Sequence, residues 1–233
     1  MSSPSLDTPD CARLLSLVAH ELRTPLSVTL GYLSMLTAEL AGPLSDTQRN
    51  LVESADRSCR QLVELVADVS LLGRLERGEP SLSASPISLA TIVVEAVAHY
   101  TPNDAHPVGV VSTGQADVTL TVDPVRFRGV ISALINATVR SSPSDATIAV
   151  HRAVRPAHNG AGLEAVVAVA RDGESATLAD AAREALHPID PWQGGLGMTI
   201  PIAQRLIALA GGDLRATHVS GTRGFVLFMP VRG

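Results

Sequence analysis

Seven positions between Leu51 and Leu72 constrain this chain most. Leu51, Ala55, Ser58, Leu62, Leu65, Val69 and Leu72 follow one another in alternating steps of four and three. Such steps lay one small-and-apolar seam along a helix, as in a coiled coil or a helical bundle. Upstream, from about Asp7 to Leu40, the residues Leu15, Val18, Leu22, Leu26, Leu33 and Leu36 recur at roughly helical spacing. Between the two stretches, "AGPLSDTQ" breaks the pattern. Gly42-Pro43 stops one helix, and Ser45 with Gln48 reads as the capping box of the next. Two long helices on a short loop make an antiparallel hairpin. One hairpin buries too little alone, and no other segment offers a matching heptad helix. The expectation is a homodimer whose paired hairpins form a four-helix bundle.

After the seam, "RGEPSLSASP" reads as a linker, and the remaining chain alternates strand-like and helix-like segments. Helices are expected at Ile87–Tyr100, at Asp123–Arg140 behind an Asp-Pro start, and at Leu196–Ala210 before Gly211-Gly212. Strands are expected in "VGVVST", "VTLTV", "ATIAVHRAV", "LEAVVAVA", "DLRATHV" and "GFVLFMPV". Residues from Arg171 to Gly195 read as polar and irregular. The fold class is therefore α+β. Residues 1–78 form the helical hairpin, 79–86 the linker and 87–233 an α/β sandwich.

Composition excludes several functions. Aromatic residues make up only 3% of the chain, its net charge is -5 and it contains no lysine. A basic groove with stacking aromatics for nucleic acid is not available from such a sequence. Cys11 and Cys59 lie singly, which fits a reducing, cytoplasmic setting rather than a disulfide framework or a zinc site. No window approaches the run of about 18 apolar residues that a membrane helix needs. The polar start, Met1–Asp10, does not look like a secretory signal.

Four short motifs remain. "HELRTPL" begins at His20 and sets a histidine, a glutamate and an arginine inside a helix made for packing, with a proline one turn later. "ALINATVRSSP" places Asn136 near the end of a helix. "VARDGES" ends a strand. "GGLGMTIPIAQRLI" feeds a glycine-rich turn into a helix N-terminus, where backbone amides favour anions. The other histidines, His99, His106, His151, His158, His187 and His218, show no metal-ligand spacing.

As a set, these motifs resemble those of sensor histidine kinases, over nearly the whole chain from Leu14 to Val231. "HELRTPL" resembles the phosphoacceptor box of the dimerisation and histidine-phosphotransfer domain, and the C-terminal region resembles the ATP-binding domain of the GHKL type. The resemblance implies that His20 attacks the γ-phosphoryl group of ATP and holds it as a phosphoramidate. Glu21 orients the imidazole or takes its proton, and Thr24 positions water when a phosphorylated regulator is hydrolysed. Asn136 falls on the Mg²⁺-coordinating position of the N-box, although Ser132 stands where that box often has an earlier asparagine. Gly195 and Gly197 fall on the phosphate-binding G2 box. In the G1 box, Asp172 and Gly173 are the candidate nucleotide ligands. The register, however, puts Arg171 where the adenine-binding aspartate belongs and Ser175 where the second glycine belongs. The lid motif lacks its phenylalanine, which leaves Trp192 or His187 to cover the base.

The expected activity is autophosphorylation of His20 from ATP with Mg²⁺, then transfer to an aspartate on the receiver domain of a response regulator. The alternative is a degenerate kinase that acts as a phosphotransferase, a regulator phosphatase or a scaffold. Only a short polar segment precedes the first helix, so either a separate sensor protein brings the signal or the chain is a fragment.

Overall fold

The computed structural model describes residues 8–78, 83–102, 107–158, 160, 162–189, 198–219 and 222–231. The chain divides into two compact units, residues 1–80 and 81–233.

The first unit is a hairpin of α1 (Thr8–Thr37) and α2 (Asp46–Glu76). Ser45 caps α2. Its hydroxyl accepts from the Gln48 amide, and the Gln48 side chain accepts from the Ser45 amide at 2.9 Å. This reciprocal pair satisfies two of the amides that a helix start leaves without partners. At the loop, Arg49 pairs with Glu39. Within the hairpin, α2 faces α1 along Val52, Cys59, Val63, Val66 and Gly73, and α1 answers with Ala12, Leu15, Ala19, Leu26, Leu30 and Leu33. The seam found in the sequence lies one residue away from this row. Leu51, Leu62 and Leu65 are 66%, 50% and 46% exposed. Helix α1 has a second row too. Leu14, Val18, Val28, Tyr32 and Met35 are exposed at steps of three and four that pass through Glu21 and Pro25. Each helix therefore has two apolar rows, and the hairpin buries one of them.

The second unit is built on a six-stranded sheet in the order β2-β4-β5-β8-β7-β6, together with a separate pair, β1-β3. The strands are β1 (Ser85–Ser88), β2 (Gly109–Thr113), β3 (Thr119–Val122), β4 (Thr147–Pro156), β5 (Leu163–Arg171), β6 (His187–Pro188), β7 (Asp213–Val219) and β8 (Thr222–Val231). β2 runs parallel to β4, and the other pairings are antiparallel. The helix expected from Ile87 starts at Leu89 instead, as α3 (Leu89–Ala98), because Ser85–Ser88 pair with β3. α4 (Pro124–Arg140) starts as its Asp-Pro predicts: the Asp123 carboxylate accepts from the Arg126 amide at 3.0 Å, and proline stands in the first turn. α4 and α6 (Thr199–Leu209) pack together, and α4 lies on β4, β5 and β8.

The stretch after Arg171, which reads as irregular in the sequence, is folded. It forms α5 (Ser175–Asp180), a 3-10 turn at Arg183–Ala185, and β6. Leu178, Ala179 and Leu186 pack on Val166, Ala168 and Ala170 of β5 and on Val226 and Phe228 of β8. Successive strand residues face opposite sides. The other row of β5, Ala165, Val167 and Val169, is equally buried and faces the side of α4. Charges clamp the segment to the sheet. The Glu164 side chain, only 5% exposed, accepts from Arg155 Nε at 2.8 Å and from Arg183 Nη2 at 2.7 Å. Both guanidiniums lie over the Phe228 ring, and Arg155 also donates to the Ala179 and Ala181 carbonyls. A helix of six residues is too short to show a periodic signal, which explains why the sequence pattern missed this one.

Candidate functional site

The first candidate centre lies on α1. Ala19 is buried against α2, while His20, Glu21, Arg23 and Thr24 are exposed. A helix turns by about 100° per residue, so burying Ala19 swings His20 out to the flank of the hairpin. Thr24 stands one turn further on, on the same face as His20. Pro25 has no N–H to return to the Glu21 carbonyl, yet α1 runs on through it to Thr37. A nucleophile needs this kind of setting: an imidazole open to solvent on a backbone fixed by packing. Glu21, next along the chain, sits in the exposed apolar row of α1.

The second candidate centre is divided. On α4, most residues from Phe127 to Val139 are buried, whereas Asn136 and Arg140 are exposed and Ser132 is half-buried. Asn136 opens on a cleft of about 220 Å³. Ala96, His99, Tyr100 and Thr101 line one side of it, and Ser132 and Asn136 the other. The Asn136 amide oxygen in such a cleft suits a hydrated divalent ion bound mainly through phosphate oxygens. Burial pushes the Tyr100 hydroxyl up from its ordinary pKa, so that group stays protonated as a donor. Among the described residues, no three of His, Cys, Asp and Glu gather in metal-binding geometry. A metal at Asn136 would therefore depend on phosphate oxygens and water.

The end of β5 fits a nucleotide less well. By strand alternation Arg171 continues the row that faces α4, and its Nη2 is 3.0 Å from Glu174 Oε1. Asp172 is exposed. Its amide donates to the Thr147 carbonyl at 2.8 Å, and its Oδ1 accepts from the Gly173 amide at 3.0 Å. Gly173 has φ +85, a backbone state that glycine adopts without strain. Ser175 is buried at the start of α5. At Arg171 an adenine amino group would meet a guanidinium, which has donors only. Among the described residues, no hydrogen bond or ion pair joins Asn136 to residues 171–173. Gly195, Gly197 and Trp192 lie outside the described residues, and His187 sits exposed in β6 opposite Ala216.

Comparison with known proteins bears on both centres. Residues 12–78 match the His Kinase A (phospho-acceptor) domain, so the match spans the whole hairpin with His20 inside it. These residues are a His Kinase A phospho-acceptor domain, and over most of its length the chain is similar to sensor histidine kinases. It is 25% identical over 231 residues to the circadian input-output histidine kinase CikA of Synechococcus elongatus, a match covering 93% of this chain and 29% of that protein. It is 29% identical over 224 residues to the signal transduction histidine-protein kinase BarA of Escherichia coli, covering 91% of this chain and 24% of that one. The chain thus spans less than a third of the length of these curated relatives. Among solved structures, full-length ShkA in complex with AMPPNP superposes with a TM-score of 0.70 at 22% identity, over 94% of this chain and 45% of that one. Acinetobacter baumannii AdeS superposes with a TM-score of 0.60 at 16% identity, over 92% and 98%. Both likenesses reach across the hairpin and the α/β unit, and they establish the fold: a helical hairpin followed by a GHKL-like domain.

Two groups of residues lay beyond the motif reading. The clamp of Arg155, Glu164 and Arg183 had one visible trace, a glutamate opening the apolar run "LEAVVAVA". A cluster of Ala12, Ser16, Gly73 and Arg77 had none, because its members are distant in sequence.

Proposed function

We propose that the chain is a homodimeric histidine kinase that phosphorylates His20 from ATP with Mg²⁺ and passes the group to an aspartate on a response-regulator receiver domain. The observation that carries this reading is the exposed His20–Thr24 turn at the flank of the matched phospho-acceptor hairpin. ATP supplies an electrophilic γ-phosphorus. The imidazole nitrogen of His20 attacks it, a nitrogen–phosphorus bond forms, and the bond to the ADP oxygen breaks. Glu21 takes the imidazole proton, or holds the ring so that it can leave. Thr24, on the same face, places water for the reverse task of regulator dephosphorylation.

Asn136 would hold Mg²⁺ beside the phosphates, with Ser132 and Tyr100 near them. Gly195 and Gly197 are proposed to receive the phosphates on backbone amides, and Asp172 with Gly173 to form the turn beside the base. The exposed rows through Leu62 and Leu65 on α2 and through Val28 and Tyr32 on α1 support dimerisation, because a second hairpin would bury them. No helix among the described residues is long and apolar enough to cross a membrane. With the isolated cysteines, this supports a cytoplasmic location.

The test is incubation with γ-labelled ATP and Mg²⁺. The expected result is label that is lost in acid, kept in base and absent from His20→Ala. Wild-type protein that takes up no label, or His20→Ala that retains it, overturns the reading.

A further inference from the structure

At the open end of the hairpin, away from the loop, α1 and α2 approach closely. Ala12 of α1 and Gly73 of α2 are both buried there and lie close together. Gly73 permits the approach: a Cβ at that position would lie 3.0 Å from both the Ala12 carbonyl and Ser16 Oγ. Contacts that short are rare for real side chains, so a larger residue there would require the Ala12 and Ser16 turns of α1 to give way. One turn further along α2, Arg77 reaches back across the gap. Its Nη1 donates to the Ala12 carbonyl at 3.0 Å and to Ser16 Oγ at 2.6 Å. A charged donor makes both bonds stronger than neutral ones.

The position of this clasp matters for His20. Ser16 precedes His20 by four residues, so it lies directly beneath it on the same face, and its carbonyl is the helical acceptor for the His20 amide. Ala12 stands in the same relation to Ser16. Arg77 thus grips the two turns that carry the imidazole, from a residue of the helix end just before the second unit begins. Next to His20, Ala19 is buried in the hairpin, whereas the ring and its neighbours Glu21, Arg23 and Thr24 are exposed.

We propose that Arg77, through Ser16, is a positioning residue for phosphorylation of His20. It holds the α1 backbone so that the imidazole keeps one orientation for in-line attack, and it touches neither nucleotide nor phosphoryl group. The proposal rests on His20 being the acceptor, as argued above, and it adds a residue that no motif marks. Displacing a reacting atom by about an ångström can cost on the order of a hundredfold in rate, so a partial loosening should cost about tenfold.

Two measurements on the full chain test it. In the first, initial rates of His20 labelling are taken across a range of ATP concentrations. Arg77→Ala should lower kcat about tenfold while KM for ATP stays within twofold. Arg77→Lys, which keeps one charged donor, should recover part of the loss, and Ser16→Ala should reproduce part of it. In the second, hydrogen exchange of the amides of residues 16–20, which needs no nucleotide, should speed up about fivefold or more in Arg77→Ala. Arg60, which pairs with Asp56 inside α2, is the control, and Arg60→Ala should change neither readout. Unchanged exchange in Arg77→Ala overturns the proposal, as does an unchanged kcat, a rise in KM of the same size as the loss in kcat, or an equal effect of Arg60→Ala. If wild-type protein takes up no label from ATP at all, the kinase reading fails. The clasp is then judged on exchange alone.

Discussion

The two units stand in different relations to water. The α/β unit closes its own core. Both rows of β5 are buried, one under α4 and the other under α5, and Phe225, Phe228, Ile131 and Leu134 are almost fully buried. The hairpin does not close. Among the described residues of α1 only Ala12 and Ala19 are buried hydrophobics, while seven large apolar side chains from Leu14 to Met35 stay exposed. A two-helix unit has one inner face, and a heptad pattern with two rows has more apolar surface than that face can cover. The difference separates their tasks. One unit is a self-sufficient scaffold for a cleft, and the other leaves an apolar surface that a second copy would cover, with His20, the proposed phosphoacceptor, beside it.

The comparison can be broken at several points. The largest effect is expected in the hairpin. Leu62→Glu together with Leu65→Glu should raise the dimer dissociation constant about a thousandfold, roughly 4 kcal/mol, because two leucines per chain lose their burial and gain charge. Light scattering over a dilution series reads this. A dimer that persists unchanged would place the interface elsewhere.

Next in size is the clamp of the α/β unit. Glu164→Ala leaves Arg155 and Arg183 without their carboxylate in a largely buried site, at a cost of about 3 kcal/mol. Calorimetry should show the transition of that unit lowered by roughly 6–12 °C, with the dimer constant unaffected. A shift below about 2 °C would mean that the cation–π contacts to Phe228 hold the segment alone.

A smaller effect, about tenfold or 1.4 kcal/mol, is expected for ATP affinity in Arg171→Asp, which supplies the acceptor that the adenine amino group lacks. Calorimetric titration with ATP and GTP should show a gain for ATP and none for GTP. Equal gains, or a loss, would mean that Arg171 does not face the base.

The smallest effect concerns pH. Burial, and then the neighbouring Glu64, hold the Asp68 carboxyl above its ordinary value of 3.8. The folded hairpin therefore holds this proton more tightly than the unfolded chain. The resulting stability is fully present below 3.8 and is lost as pH rises through the raised value. Asp117 of the α/β unit is shifted the other way: the Ala90 amide leads and the Ser88 hydroxyl also donates to the carboxylate. Its contribution is present above 3.8 and is lost as pH falls through the lowered value. Unfolding followed separately in the two units between pH 3 and pH 6 should give slopes of opposite sign from these groups. Asp68→Asn should flatten the first and Asp117→Asn the second.

How much of this was legible in the sequence follows the range of the interactions. The capping box of α2 and the Asp-Pro start of α4 are local patterns of a few residues, and they stand in the sequence as they stand in the fold. The seam from Leu51 to Leu72 was legible as a seam, but its partner was not, because the row one residue away is the one that faces α1. The segment after Arg171 was hidden: α5 is six residues long, and its hold on the sheet comes from Arg155, Glu164 and Phe228 on three separate strands. For the same reason the motif "HELRTPL" could be read at sight, whereas Arg77, which grips the turns below His20 from 61 and 65 residues away, could not.

The central claim is that the exposed His20 accepts phosphate. Phosphorus NMR of the full chain incubated with Mg-ATP tests it most directly. The account predicts one phosphoramidate resonance that disappears on acidification and is absent from His20→Gln. A spectrum of the wild type without that resonance, or the same resonance persisting in His20→Gln, contradicts it.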